Sequence, residues 1–175
     1  MDPRYKRLVK PIALICVLIV VTQGGMYLLR FALRTENPLV YVPSESMEPN
    51  LRVGDWCIVT GVERPEDLQI GDIIVFNIPG VPDMPWIHRI VDWTQTAGQW
   101  YFQTKGDNNR SPDNFWPYTP NGWVPFTRVT GKVIYRIPYA GYMSIFLHTP
   151  FGYALIAALI VLILALEYLR PEKRA

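Results

Sequence analysis

The chain has 175 residues, 50% of them hydrophobic and 18% charged, with 12 glycines in no repeating order. That length suits one globular domain of ordinary size with accessory segments, and the composition excludes a disordered or collagen-like chain. The net charge of +2 conceals an asymmetry: residues 35–140 hold 8 Lys/Arg and 12 Asp/Glu, a balance of −4, and the two ends hold 9 basic and 3 acidic residues, a balance of +6. Basic ends beside apolar runs point to a membrane, and the acidic middle argues against a nucleic-acid-binding face. The two cysteines, Cys16 in an apolar run and Cys57 in the middle, make neither a disulfide framework nor a thiolate metal site, and no metal or other cofactor is expected.

Residues 1–10 form a basic amino terminus carrying Arg4, Lys6, Arg7 and Lys10. From residue 11 to residue 29 no side chain is charged, and the apolar character resumes after Arg30 up to Leu33. As a helix, residues 11–33 span roughly 35 Å, against about 30 Å of hydrocarbon core. A cleaved signal peptide also begins with a basic segment. Here, however, the apolar run is long and Arg30-Phe31-Ala32-Leu33-Arg34 offers no small-x-small site, so the run reads as an uncleaved transmembrane anchor.

Residues 34–145 read as one β-rich domain. Segments 39–42, 56–60, 73–78, 86–93, 100–104 and 129–137 are short runs of β-branched and aromatic residues. Val53-Gly54-Asp55, Ile70-Gly71-Asp72, Pro79-Gly80, Lys105-Gly106-Asp107-Asn108-Asn109 and Asn121-Gly122 supply turn signals between them. No helical period is evident between residues 35 and 140.

Candidate chemistry sits in three places. Pro43-Ser44-Glu45-Ser46-Met47-Glu48-Pro49 follows the first strand, about a dozen residues beyond the anchor, so these serines lie within about 40 Å of chain from the bilayer. In isolation, Ser-x-Ser before proline is a polar turn; as a nucleophile, a serine needs a base, a group orienting that base, and donors for an oxyanion. His88, in Trp86-Ile87-His88-Arg89-Ile90-Val91, is the histidine well inside the domain, since His148 falls at the edge of the second apolar run. A strand histidine has a structural reading, but an imidazole, with an ordinary pKa near 6.5, also suits a general base at neutral pH. The loop from Lys105 to Asp113 offers acids to orient it. Calcium binding there is disfavoured by Lys105 and Arg110 and by the missing alternation of oxygen ligands. Lys105 is an alternative base that would need strong burial.

The second apolar run covers residues 151–166, with Thr149 suited to the N-cap and Pro150 to the first helical position. Its apolar character all round favours a spanning helix, assigned to residues 146–169, over one lying on the surface. Residues 170–175 make a basic tail with Arg170, Lys173 and Arg174. Arg30 and Arg34 count the other way, but the larger share of basic residues places both termini in the cytoplasm and the domain on the exterior or lumenal side.

Ser44-Glu45-Ser46-Met47-Glu48-Pro49, Arg52-Val53-Gly54-Asp55, Gly71-Asp72-Ile73-Ile74-Val75-Phe76, His88-Arg89-Ile90, and Lys105-Gly106-Asp107-Asn108-Asn109 followed by Asp113 occur in an order and spacing that resemble the type I signal peptidases. The resemblance covers most of residues 40–136 and is to the branch found in the endoplasmic reticulum, archaea and some Gram-positive bacteria. It implies a mainly β fold, a signal-peptidase-like mixed sheet flanked by an N-terminal and a C-terminal transmembrane helix. It also implies a membrane-bound serine endopeptidase that removes signal peptides from secreted preproteins after small residues. Ser46 matches the nucleophile, and Ser44 matches the serine lining the oxyanion hole, with the Ser46 N–H as second donor. His88 stands where the bacterial branch has its catalytic lysine, which demotes Lys105 to a structural reading. Asp113 matches the acid orienting the histidine, in preference to Asp107, which matches a supporting aspartate. Glu45 departs from the family's usual glycine and would narrow the cleft or add negative charge. Implied partners are preproteins bearing signal peptides, membrane lipid, and translocon or accessory peptidase subunits, in a cell membrane or that of the endoplasmic reticulum. Phe115-Trp116 or Trp123 are candidates to dip into the headgroup region. Two other readings compete: an inactive signal-peptide-binding scaffold, and a self-cleaving serine–lysine repressor. The first is disfavoured by the presence of Ser46, His88 and both aspartates, and the second by the two apolar runs and the lack of a DNA-binding segment.

Overall fold

Along the middle of the chain burial alternates with the period of two that strands require: in Trp56–Thr60, Cys57 and Val59 are fully buried and their neighbours are not. The computed structural model describes residues 3–78, 85–114 and 122–169. The expected Pro79-Gly80 turn, the Phe115-Trp116 pair and the basic tail from residue 170 lie outside the described residues. Leu29–Tyr142 forms one compact unit, and the remaining helical segments form a second.

The first unit is built on seven strands: β1 (Leu39–Tyr41), β2 (Trp56–Thr60), β3 (Ile73–Phe76), β4 (Trp86–Thr96), β5 (Gln99–Lys105), β6 (Val124–Pro125) and β7 (Val129–Ile137). They form one sheet in the order β1-β2-β7-β3-β4-β5-β6. The mixed sheet of the sequence reading is antiparallel in every described pairing. Two features escape the sequence. The β4–β5 hairpin runs on through the polar residues 94–99 and turns at Ala97 and Gly98, with φ of 50° and 78°, where an alanine stands in place of the asparagine or aspartate that normally marks such a turn. Strand β6 is only two residues long and contains a proline, so it has no period to read.

Each face of the sheet carries a core. Val40, Val42, Met47, Leu51, Cys57, Val59, Val75 and Ile87 make one core, and Leu68, Ile74, Phe76, Ile90, Phe102 and Val124 make the other. Strand β3 serves both, sending Val75 to the first and Ile74 and Phe76 to the second, which is why Ile73-Ile74-Val75-Phe76 is an unbroken apolar run.

Two helices are long and apolar enough to cross a membrane: α1 (Pro3–Leu33) over Leu8–Leu33, and α3 (Pro150–Leu169). Helix α1 begins ahead of the expected span and continues through Pro11. It ends with Arg34 in the left-handed region at φ 51°, and the Thr35 N–H donates to the Arg30 carbonyl at 3.2 Å, six residues closing on one. The freed Leu33 carbonyl accepts the Gly61 N–H at 2.7 Å. A Cβ on Gly61 would stand 1.9 Å from the Arg34 carbonyl oxygen, so glycine is required by this close approach. The second of these helices starts at Pro150 rather than at residue 146. Residues 141–147 form a separate short helix, α2 (Gly141–Leu147), and Thr149 caps α3 by accepting the Gly152 N–H on its Oγ1 at 3.0 Å. Proline has no N–H to carry α2 forward and has its φ already set for a helix start.

Candidate active site

The serine loop is anchored through its apolar residue. Glu45–Met47 makes one turn of 3-10 helix in which Met47 is buried, and the Leu51 N–H donates back to the Met47 carbonyl at 2.9 Å. With Met47 and Leu51 pinned in the first core, Ser46 is left half-buried and Ser44 exposed, their hydroxyl oxygens 3.2 Å apart.

The loop behind them is held by Asp55, which is 1% exposed. Its carboxylate accepts the backbone N–H groups of Arg52 at 2.8 Å and Tyr139 at 3.1 Å and faces the Arg136 Nε at 3.4 Å. Arg136 in turn donates to the Asn50 carbonyl at 2.6 Å. This explains Arg52-Val53-Gly54-Asp55 as a structural staple. Cys57, one turn of the pleat away, has its thiol pushed up to about 12, first by burial and then by the Asp55 charge, against the opposite pull of Arg136.

His88 lies on β4 paired with Ile74 of β3, facing the second core, and is 3% exposed. Its ring meets the edges of Trp86 and Phe76, with centroids 5.7 and 6.4 Å away. Nε2 stands 3.2 Å from Ser46 Oγ, and Nδ1 stands 2.5 Å from Asp113 Oδ2. A carboxylate only accepts, so Nδ1 carries the proton toward Asp113 and Nε2 presents its lone pair to the Ser46 hydroxyl. The arrangement is therefore a directed chain: Ser46 O–H to His88 Nε2, and His88 Nδ1–H to Asp113.

Asp107 is placed elsewhere. It accepts two parallel hydrogen bonds from Arg89, Nε to Oδ1 and Nη2 to Oδ2, each 2.7 Å, and a third from Asn50 Nδ2 at 2.8 Å. Burial alone would raise this carboxyl, but the bonds from Arg89 and Asn50, with the Arg89 and His88 charges, outweigh it and hold Asp107 below the ordinary aspartate range. Arg89 is raised correspondingly, chiefly by its hydrogen bond to Asp107. Arg89 also donates through Nη1 to the Gly71 carbonyl at 2.6 Å, tying the Gly71-Asp72 turn to the same network.

Lys105 pairs with Arg89, while Thr104 pairs with Ile90. Successive strand residues point to opposite faces, so Lys105 leaves the sheet on the side away from His88, Ile90 and Thr104. His148 bonds to the Ser144 carbonyl at its own helix end, at 2.7 Å. Among the described residues, no group of three or more His, Cys, Asp or Glu side chains is gathered as a metal site.

Beside the serines a cleft of about 440 Å³ is lined by Val42, Ser44, Ser46, Trp86, Ile87 and His88 among others. Its apolar walls end on the two hydroxyls and the imidazole. The sequence reading had no role for Thr104, Asn50 or the Asn108 amide, all of which bond to site residues. The Thr104 signal is its strand position facing the same side as His88, which the intervening loop conceals.

The family model described as "Signal peptidase, peptidase S26" matches residues 6–93, about half of the chain. Among curated relatives, the "Signal peptidase complex catalytic subunit SEC11C" of Rattus norvegicus and that of Homo sapiens are each 34% identical over 128 residues, 71% of this chain and 66% of theirs. The match thus spans just under two thirds of the length of these mammalian relatives. The "Signal peptidase complex catalytic subunit SEC11" of Metarhizium acridum is 31% identical over 119 residues, 68% of this chain and 69% of the relative.

Proposed function

Because the chain belongs to the signal peptidase family, peptidase S26, we propose that it is a membrane-bound serine endopeptidase that removes signal peptides from preproteins after small residues. The observation that carries this reading is the chain of contacts from Ser46 through His88 to Asp113, opening on an apolar cleft. His88 Nε2 takes the proton of Ser46 as Oγ attacks the scissile carbonyl carbon, and the imidazolium is stabilised by Asp113. The oxyanion is held by the Ser44 hydroxyl and the Ser46 N–H, each fixed donor contributing about 3 kcal/mol. The carbonyl reforms, His88 gives its proton to the leaving amine, and the mature protein departs with a free amino terminus. Water, deprotonated by His88, then hydrolyses the acyl ester on Ser46 and regenerates the hydroxyl.

The two apolar helices suit membrane residence, and the excess of basic residues at the two ends supports cytoplasmic termini with the β domain on the other side. A signal peptide's apolar core lies in the same bilayer, so anchoring raises the local concentration of site and substrate. The relatives' membership of a signal peptidase complex supports accessory subunits as partners.

The test is cleavage of a purified preprotein in liposomes by the native chain beside Ser46→Ala and His88→Ala. Cleavage after a small residue by the native chain, lost in both variants, is the expected result. Cleavage surviving in Ser46→Ala would overturn the reading.

A further inference from the structure

We propose that Thr104 is a positioning residue of the proton relay, holding Asp113 in the one orientation that sets the His88 tautomer; this rests on the peptidase reading above. Thr104 is a hydroxyl in an otherwise apolar layer, 1% exposed between Ile90 and Phe102, on the face of the sheet that carries His88. It grips Asp113 twice. Its hydroxyl donates to Asp113 Oδ2 at 2.7 Å, and its carbonyl accepts the Asp113 N–H at 2.7 Å. The two residues are nine positions apart, so this double contact closes the loop that carries Asp107 and Asn108 and sets down Asp113 at its far end.

The carboxylate oxygen that Thr104 holds is the one that receives His88 Nδ1. Asp113 arrives at the end of a loop, where a free side chain would turn about its χ angles among several rotamers. A strand threonine is stiff about χ1, so its Oγ1 is a fixed point. With Oδ2 pinned between Thr104 and His88, the imidazole keeps its proton on Nδ1 and its lone pair on Nε2, toward Ser46. Remove the hydroxyl and the carboxylate can swing, and the wrong tautomer, Nε2–H, faces a serine it cannot deprotonate. A shift of this kind acts on kcat and leaves substrate binding alone, because Thr104 lines no part of the cleft.

The experiment compares the full chain with Thr104→Val and Thr104→Ser, and Asp113→Ala alone with the Asp113→Ala, Thr104→Val double variant, all reconstituted in detergent. Two readouts are taken: preprotein cleavage, and the imidazole ¹⁵N signals of His88 at about pH 8, where an ordinary imidazole is neutral. Thr104→Val should lower kcat about tenfold to a hundredfold with KM unchanged, and Thr104→Ser should restore most of it. In the Asp113→Ala background the valine should cost nothing more, since Thr104 acts only through Asp113. The ¹⁵N signals should show a single Nδ1–H form in the native chain and in Thr104→Ser, and a mixture in Thr104→Val. A pure Nδ1–H form in Thr104→Val, or a loss of kcat that persists without Asp113, would overturn the role. If the valine variant fails to fold, a ¹⁵N pattern that differs between Thr104→Ser and Thr104→Ala decides for the role, and identical patterns decide against it. A native chain inert toward every preprotein, but showing the expected ¹⁵N change, would sink the peptidase reading and leave the Thr104 clamp standing.

Discussion

The Asn108 N–H donates to the carbonyl of Ser46 at 2.9 Å, and its side-chain Nδ2 donates to the carbonyl of Glu45 at 3.2 Å. One asparagine thus fixes the peptide groups on both sides of Ser46. It gets there because Gly106 lets the loop lie against the serine turn: a Cβ on Gly106 would stand 2.6 Å from the Ser46 carbonyl oxygen.

Gly106→Ala is therefore expected to push the loop off the serine turn. It should cost about 1–3 kcal/mol of stability through overpacking and lower kcat about tenfold or more through displacement of Ser46. Chemical denaturation and preprotein cleavage, run side by side, check both; native kcat in this variant would show that the contact is not needed for alignment.

The two aspartates are expected to separate cleanly. Asp113→Asn should leave the fold intact and reduce kcat by about four orders of magnitude, the size seen when an orienting acid loses its charge and the histidine tautomer reverses. Asp107→Asn should act mainly on stability and only indirectly on rate, since its bonds run to Arg89 and Asn50. Equal kinetic losses in the two variants would contradict this division.

Acid should weaken the domain through Asp107. Its carboxyl is held below the ordinary range, so the unfolded chain takes up this proton more readily than the folded one. The stabilisation is complete above the ordinary aspartate value of about 4 and fades as pH falls through the lower folded value. Denaturation midpoints measured from about pH 6 down to pH 2 should decline, and less steeply in Asp107→Asn. Parallel curves for the two proteins would remove Asp107 as the linked group.

Asp55→Ala should be among the most damaging single changes, at roughly 2–4 kcal/mol, because it leaves the Arg52 and Tyr139 amides and the Arg136 guanidinium without their buried acceptor. Thermal unfolding measures it directly. An unchanged midpoint would mean that water replaces the carboxylate at no cost.

The Cys57 thiol, fully buried and pushed up to about 12, should resist a maleimide at neutral pH until the domain unfolds. Labelling against denaturant, in a Cys16→Ser background, should follow the unfolding curve, and labelling in native buffer would contradict the burial.

Much of this was legible in the residues. The apolar run at Ile73-Ile74-Val75-Phe76 reads as a strand, and Thr149-Pro150 announces the start of α3. The serine turn, His88 and Asp113 stand in a recognisable order. What stayed hidden depends on distance in three dimensions. Nothing local says that Asp107 turns to Arg89 while Asp113, six positions on, turns to His88. Nor does Thr104 differ in sequence from any strand threonine until the loop after it closes back onto it. The hairpin tip was missed for a different reason: Ala97 takes a left-handed conformation that its side chain disfavours, and only pairing across β4 and β5 imposes it.

The double-sided packing of β3 has one more outcome. Ser46 rests, through Met47, on the core that includes Val75, whereas His88 rests on the face that carries Ile74 and Phe76. The 3.2 Å contact between them therefore exists only when both halves of the interior have formed. With either half loosened, nothing would hold Ser46 and His88 at that distance. Packing on either side of β3 thus bears on the geometry of the Ser46–His88 pair, wherever in the domain a substitution falls.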